Sequence, residues 1–106
     1  MTDYIQVFTT TDKEEDARRI AAFMVEKRLA ACAQILGPIS SIYWWKGKVE
    51  EANEWLCIFK SRQNLFQRLE AGIRSVHPYE VPEIISLPIE SGSRDYLNWL
   101  RDETME

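Results

Sequence analysis

Three observations predict an α+β chain built on an antiparallel sheet. Strand-like and helix-like runs alternate as strand-helix-strand, strand-helix-strand, followed by a terminal helix. The second and third strand runs meet at Lys46-Gly47, which makes them one long hairpin. Pro82 and Pro88 fall in the last strand run, and proline is confined to sheet edges because it cannot donate to a ladder. Two right-handed crossover units joined by a hairpin give the ferredoxin-like sandwich, with the fourth strand at an edge and the first inside. The 106 residues suit one domain over residues 1–106.

The first strand spans residues 4–10. Ile5 and Val7 alternate with Tyr4 and Phe8, so both faces are partly apolar, as in a central strand. Asp12 is placed to cap the helix that follows, with Glu15 completing a capping box. Ala17, Ile20, Ala21, Met24 and Val25 recur at helical spacing, which predicts an amphipathic helix of about four turns.

The hairpin covers residues 31–60. Gly47 suits its turn because glycine takes positive φ without steric cost. Each arm holds about a dozen residues, roughly 40 Å at strand rise, so the tip should project beyond a single small core. Tyr43, Trp44 and Trp45 sit at that tip. Each ring buries roughly 150–250 Å² when covered. Left in water, they would match the roughly 300–600 Å² patch that is largest on a typical monomer. Another subunit is expected to cover them. Gly37-Pro38 interrupts the first arm, where a bulge or kink is expected.

Ser61 or Asn64 can start a second helix, with Leu65, Leu69, Ile73 and Val76 on one stripe. Pro78 stops it near His77, because the residue before proline avoids helical geometry. The fourth strand is placed at residues 81–89. Gly92-Ser93 opens a final helix anchored by Tyr96, Leu97, Trp99 and Leu100. Two helices cover one sheet face and leave the other apolar, at Ile5 or Phe8, Trp55 or Leu56, and Cys57 or Ile58. Packing such faces around a symmetry axis removes them from water, and a ring of three is the natural closure.

Composition excludes several classes. A net charge of −4 leaves no basic stripe to neutralise phosphates, which argues against nucleic-acid binding. No apolar run reaches the length of a bilayer span, so no membrane partner is expected. The N-terminus lacks a signal-peptide pattern. Cys32 and Cys57 read as two small buried thiols. A simple register from Lys46-Gly47 pairs Cys57 with Leu36, which a bulge at Gly37-Pro38 can shift. No disulfide is expected, and a reducing cytoplasm is the default.

The chemistry-bearing run is His77-Pro78-Tyr79-Glu80-Val81-Pro82-Glu83. His77 is the one histidine. It reads as a metal ligand or general base, or as a helix C-cap favoured by the dipole. Glu80 and Glu83 can add oxygen ligands. Lys46, Lys48, Glu50, Glu51, Glu54 and Lys60 form a second set on the hairpin, with Lys60 and Glu54 on one strand face. Thr9-Thr10-Thr11 offers hydroxyls at the end of the first strand. Candidate ligand-binding residues are therefore Thr9, Trp45, Glu50, Lys60, Tyr79 and Glu83, with His77 as the candidate metal ligand. No nucleophile elbow, Walker loop, GxGxxG or Ser-His-Asp arrangement occurs, and the chain is read as not an enzyme.

Ala30-Ala31-Cys32-Ala33, Tyr43-Trp44-Trp45-Lys46-Gly47-Lys48-Val49-Glu50, His77-Pro78-Tyr79-Glu80-Val81-Pro82-Glu83 and Tyr96-Leu97-Asn98-Trp99-Leu100 resemble the CutA divalent-cation tolerance proteins in order and spacing. The resemblance implies a ferredoxin-like homotrimer of the cytoplasm, linked to copper and other divalent ions, with no cofactor needed for folding. The copper site proposed in that family uses a cysteine at the end of the first strand and a His-His pair before Pro-Tyr. Thr9 and Val76 stand at two of those positions here, and only His77 remains. Thiolate favours Cu(I), and Thr9 supplies none. Mammalian relatives are associated with anchoring acetylcholinesterase. Three functions follow: a trimer binding Cu²⁺ or another divalent cation at subunit clefts near His77, a P-II-like small-molecule sensor, and a scaffold that anchors a protein partner through the aromatic tip.

Overall fold

The computed structural model describes residues 3–105. Its sheet has four strands, β1 (Tyr4–Thr11), β2 (Cys32–Trp45), β3 (Lys48–Arg62) and β4 (Ile85–Pro88). They lie in the order β2-β3-β1-β4, every neighbouring pair antiparallel. Helix α1 (Glu14–Glu26) joins β1 to β2, and α2 (Phe66–Val76) joins β3 to β4. Helix α3 (Arg94–Asp102) closes the chain. β4 is at an edge and β1 inside, the positions that the prolines and the two-faced first strand required.

The core forms where period two meets period 3.6. Ile5, Val7, Cys57 and Phe59 face Ala17, Ile20 and Met24 of α1 and Leu69 and Ile73 of α2, all buried. This apolar contact is the main favourable term in folding, worth about 25 cal/mol per Å² removed from water. The opposite sheet face carries half-buried Phe8, Leu56 and Ile58 and exposed Leu36, Ile85 and Leu87. Helices α1 and α2 pack on the other face, and α3 meets this one near Cys32, which shares it with Lys60.

The hairpin turns at Lys46 (φ 51°) and Gly47 (φ 81°), the pair of positive φ values that matches strand twist. Its length stretches the molecule to 44 × 25 × 22 Å. The ladder slips between Leu36 and Ile39, so Cys57 pairs with Ile35 and Leu36 with Leu56. The simple register is thereby corrected by one residue. Proline has no N–H to donate, and at Gly37 an added Cβ would lie 2.4 Å from Cδ1 of Trp55. The indole lies directly over the glycine, which accounts for glycine at the bulge.

Several local expectations are corrected. Asp12 does not cap α1. Lys13 holds the N-cap position without a side-chain bond, and the Thr11 hydroxyl donates to the Lys13 carbonyl at 2.8 Å. Ser61 belongs to β3 and donates to the Leu29 carbonyl at 2.6 Å, so a 3₁₀ turn at Gln63–Leu65 leads into α2 instead. β4 is four residues long, not nine, and Pro82 lies outside it, with no N–H to donate to the ladder. In α3, Ser93 caps as the sequence suggests, yet only Leu100 is fully buried, while Tyr96 and Trp99 are exposed. Cys57 is buried and Cys32 half-buried, both unpaired. The Cys32 Sγ lies 4.0 Å from the Tyr96 hydroxyl.

Thr9 is fully buried opposite Cys57, and its hydroxyl has no hydrogen-bond partner among the described residues. An unsatisfied buried hydroxyl costs about 1–3 kcal/mol. Thr9→Val keeps the shape and removes the cost. We expect it to raise unfolding stability by about 1 kcal/mol in urea, and no gain would mean that the hydroxyl is satisfied in solution.

Candidate functional site

Pro78 forces His77 out of the helix and into extended backbone, φ −79° and ψ 136°. The chain then crosses the end of β1. His77 Nε2 lies 2.9 Å from the Thr10 carbonyl, and the Tyr79 backbone N–H donates to Nδ1 at 3.1 Å. Together these bonds define a neutral imidazole with its proton on Nε2. The Tyr79 ring lies 4.9 Å from the imidazole. Its hydroxyl donates to Glu54 Oε2 at 2.6 Å. One imidazole thus fixes a tyrosine, and the tyrosine reaches the third strand.

The turn at Lys46-Gly47 decides what meets Tyr79. Ile39 pairs with Glu54 and Tyr43 with Glu50, so Tyr43, Trp45 and Glu54 share the sheet face that α1 and α2 leave uncovered. With Thr10, Trp44, Tyr79, Glu80, Val81 and Glu83 they line a cleft of about 500 Å³. Glu54 is 6% exposed. None of Glu54, Glu80 and Glu83 takes part in an ion pair among the described residues. Glu83 stands at the exposed rim, where partial burial and then the Glu54 charge push its carboxyl up. Burial and then the bond to Glu54 push the Tyr79 hydroxyl far above its ordinary value, so it remains a donor.

The structure brings Trp45, Tyr79 and Glu83 to this cleft, with His77 directly behind Tyr79. The other three candidates lie elsewhere. Thr9 faces the core beside Cys57. Glu50 is exposed on the hairpin arm. Lys60 donates to Gln34 Oε1 at 2.9 Å, near the opposite end of β3. Among the described residues no group of three His, Cys, Asp or Glu side chains converges to hold a metal ion. Glu54 is the functional residue that the sequence underplayed. Its signal was a single carboxylate entering the apolar run Trp55-Leu56-Cys57-Ile58-Phe59.

Comparison with known proteins agrees with this fold. Residues 5–103 match the family model of the CutA1 divalent ion tolerance protein. Protein CutA of Homo sapiens is 50% identical over 97 residues, which are 92% of this chain and 54% of the human protein. The chain therefore spans about half the length of that relative. The divalent-cation tolerance protein CutA of Thermus thermophilus is 47% identical over 98 residues, 92% of this chain and 95% of that one. The crystal structure of CutA1 from Oryza sativa superposes with a TM-score of 0.96 at 40% identity, over 99% of this chain and 96% of that one. The chain belongs to the CutA1 divalent ion tolerance family, which is named for tolerance and not for catalysis. Among the described residues, no helix is long and apolar enough to cross a membrane.

Burial pushes the His77 pKa below its ordinary 6.5, partly offset by the Thr10 bond and by Asp16 and Glu54, while Arg19 lowers it further. The unfolded chain then takes up the proton more readily than the folded one. Stability from His77 is complete above pH 6.5 and is lost as pH falls from 6.5 toward the folded value. Glu83 has the opposite slope, since a raised carboxyl favours folding below its unfolded pKa and loses that contribution as pH rises through the folded one. We expect wild-type stability to drop between about pH 7 and 5.5 and His77→Gln to flatten that drop in urea unfolding series. Parallel profiles would detach the slope from the imidazole.

Proposed function

We propose that this chain forms a homotrimer of ferredoxin-like sandwiches in the cytoplasm and captures divalent cations at clefts near the subunit boundaries. Its contribution to divalent-ion tolerance is that capture. The observation that carries the reading is the buried Glu54 carboxylate beside Glu83, with no cation paired to either. A buried charge costs several kcal/mol unless it is compensated, so the cleft favours a positive ligand. Glu80 and Glu83 at the rim supply oxygen donors, and a neighbouring copy completes the ligand set. An all-oxygen set suits harder ions such as Mn²⁺ better than copper. His77 can serve as a ligand only by giving up its bond to Tyr79 or Thr10. Two unpaired cysteines fit a reducing compartment.

The sheet face that α1 and α2 leave uncovered supports the trimer, because Leu36 (56% exposed), Ile85 and Leu87 extend the apolar surface of Phe8, Leu56 and Ile58. A second reading, a scaffold that anchors a partner protein, rests on Trp44, which is 74% exposed at the hairpin tip. The two-residue turn leaves no long loop there of the kind that a P-II-like sensor needs.

Calorimetric titration of Cu²⁺ and Mn²⁺ into wild type, Glu83→Gln and His77→Ala tests the cation reading. We expect Glu83→Gln to weaken binding about tenfold, the worth of one charge-assisted contact. Loss confined to His77→Ala would move the ligand set to the imidazole, and equally weak binding in all three would reject cation capture. Sedimentation tests the assembly. Leu36→Glu should give folded monomers from a wild-type trimer, while a monomeric wild type would end the trimer proposal.

A further inference from the structure

We propose that the inner part of the cleft, at Glu54, takes a primary alkylammonium ligand; this rests on the reading of the cleft as a cation site and names a cation class for its interior. Glu54 is 6% exposed. One of its oxygens accepts from the Tyr79 hydroxyl at 2.6 Å. The other has no hydrogen bond and no ion-pair partner among the described residues. That oxygen opens on the cleft, since the Thr9 hydroxyl alone is a fully buried side-chain oxygen or nitrogen without a partner among the described residues, and a carboxylate oxygen largely withdrawn from water gains most from a charged donor. The ligand that completes it must bring both positive charge and an N–H or O–H donor.

The surroundings favour an organic cation over a bare metal ion. No three metal-ligating side chains converge among the described residues, whereas the cleft holds about 500 Å³. Its walls include the rings of Tyr43, Trp45 and Tyr79 and the Val81 side chain. Ring faces attract cations, and an alkyl chain lies against the same surfaces with its carbons out of water. The Trp45 ring already draws the Lys46 ammonium to 5.6 Å from its centroid. A quaternary ammonium would satisfy the rings but leave the free Glu54 oxygen without a donor. A primary ammonium satisfies both. The metal ion proposed above takes its donors from Glu80 and Glu83 at the rim and shares only the negative field of Glu54, so Glu83→Gln and Glu54→Gln distinguish the two ligands.

The test is calorimetric titration of n-butylammonium chloride into the full chain, with 1-butanol and tetramethylammonium chloride as controls. We expect n-butylammonium to bind about tenfold or more tightly than either control, and Glu54→Gln to lose about tenfold, the worth of a hydrogen bond to a charged group. Glutamine keeps the acceptor for Tyr79 and removes the charge. Trp45→Leu, at the exposed tip, serves where Glu54→Gln does not fold, and should weaken n-butylammonium but not 1-butanol. Equal binding of n-butylammonium and 1-butanol, or no loss in either variant, overturns the proposal. Mn²⁺ binding without n-butylammonium binding overturns it and leaves the metal reading standing. Binding of neither overturns both.

Discussion

Between Leu36 and Ile39 the β2–β3 ladder slips by one residue, and that slip lets the two halves of the hairpin keep different registers for their different tasks. On the inner side it turns Leu36 toward Leu56, on the sheet face that α1 and α2 leave uncovered. On the outer side the turn at Lys46-Gly47 sets the register, and Tyr43, Trp45 and Glu54 share that face. Without the slip, the inner arm would present the alternate residues and the apolar face would lose Leu36. A shift of one residue exchanges the two faces of a strand. Gly37 makes the slip possible because the Trp55 indole occupies the space of a side chain. The apolar assembly surface is therefore set by one irregularity about midway along β2, and the cleft by the turn.

Much of the fold was legible in the sequence. The strand and helix order follows from hydrophobic periodicity, the turn at Gly47 from the residue freest to take positive φ, and the stop at Pro78 and the edge position of β4 from proline's fixed φ and missing N–H. The expectations that missed rested on residues whose roles depend on tertiary partners. Asp12 carries a capping side chain, but Thr11 is buried at the strand end and its hydroxyl bonds the Lys13 carbonyl there. Ser61 reads as a cap, but its hydroxyl satisfies the carbonyl of Leu29, which is distant in sequence. Local chemistry offered both as caps, and the folded chain used neither.

The candidate site was legible as two separate motifs, the aromatic tip and the His-Pro-Tyr run. Their meeting was not, because it depends on Tyr79 crossing to β3. Glu54 shows the reason most clearly. In sequence it is one of several hairpin charges, and burial alone sets it apart. His77 shows the converse. A lone histidine attracts attention as a ligand, and here both of its nitrogens bond to backbone groups that carry Tyr79 into place.

The projecting hairpin gives the cleft two walls of different stiffness. Residues 77–83 are tied through His77 to the end of β1 and through Tyr79 to β3. From residue 42 to 51, by contrast, every residue is exposed, and the ladder alone holds the two arms together. Segments with exposed hydrogen bonds and little buried apolar contact open at lower free energy than the core. In the single subunit, Tyr43 and Trp45 therefore ride on a spring, while Tyr79 and Glu54 stay on the frame. A ligand that touches both sets would damp the hairpin, and amide exchange there would slow in proportion to occupancy.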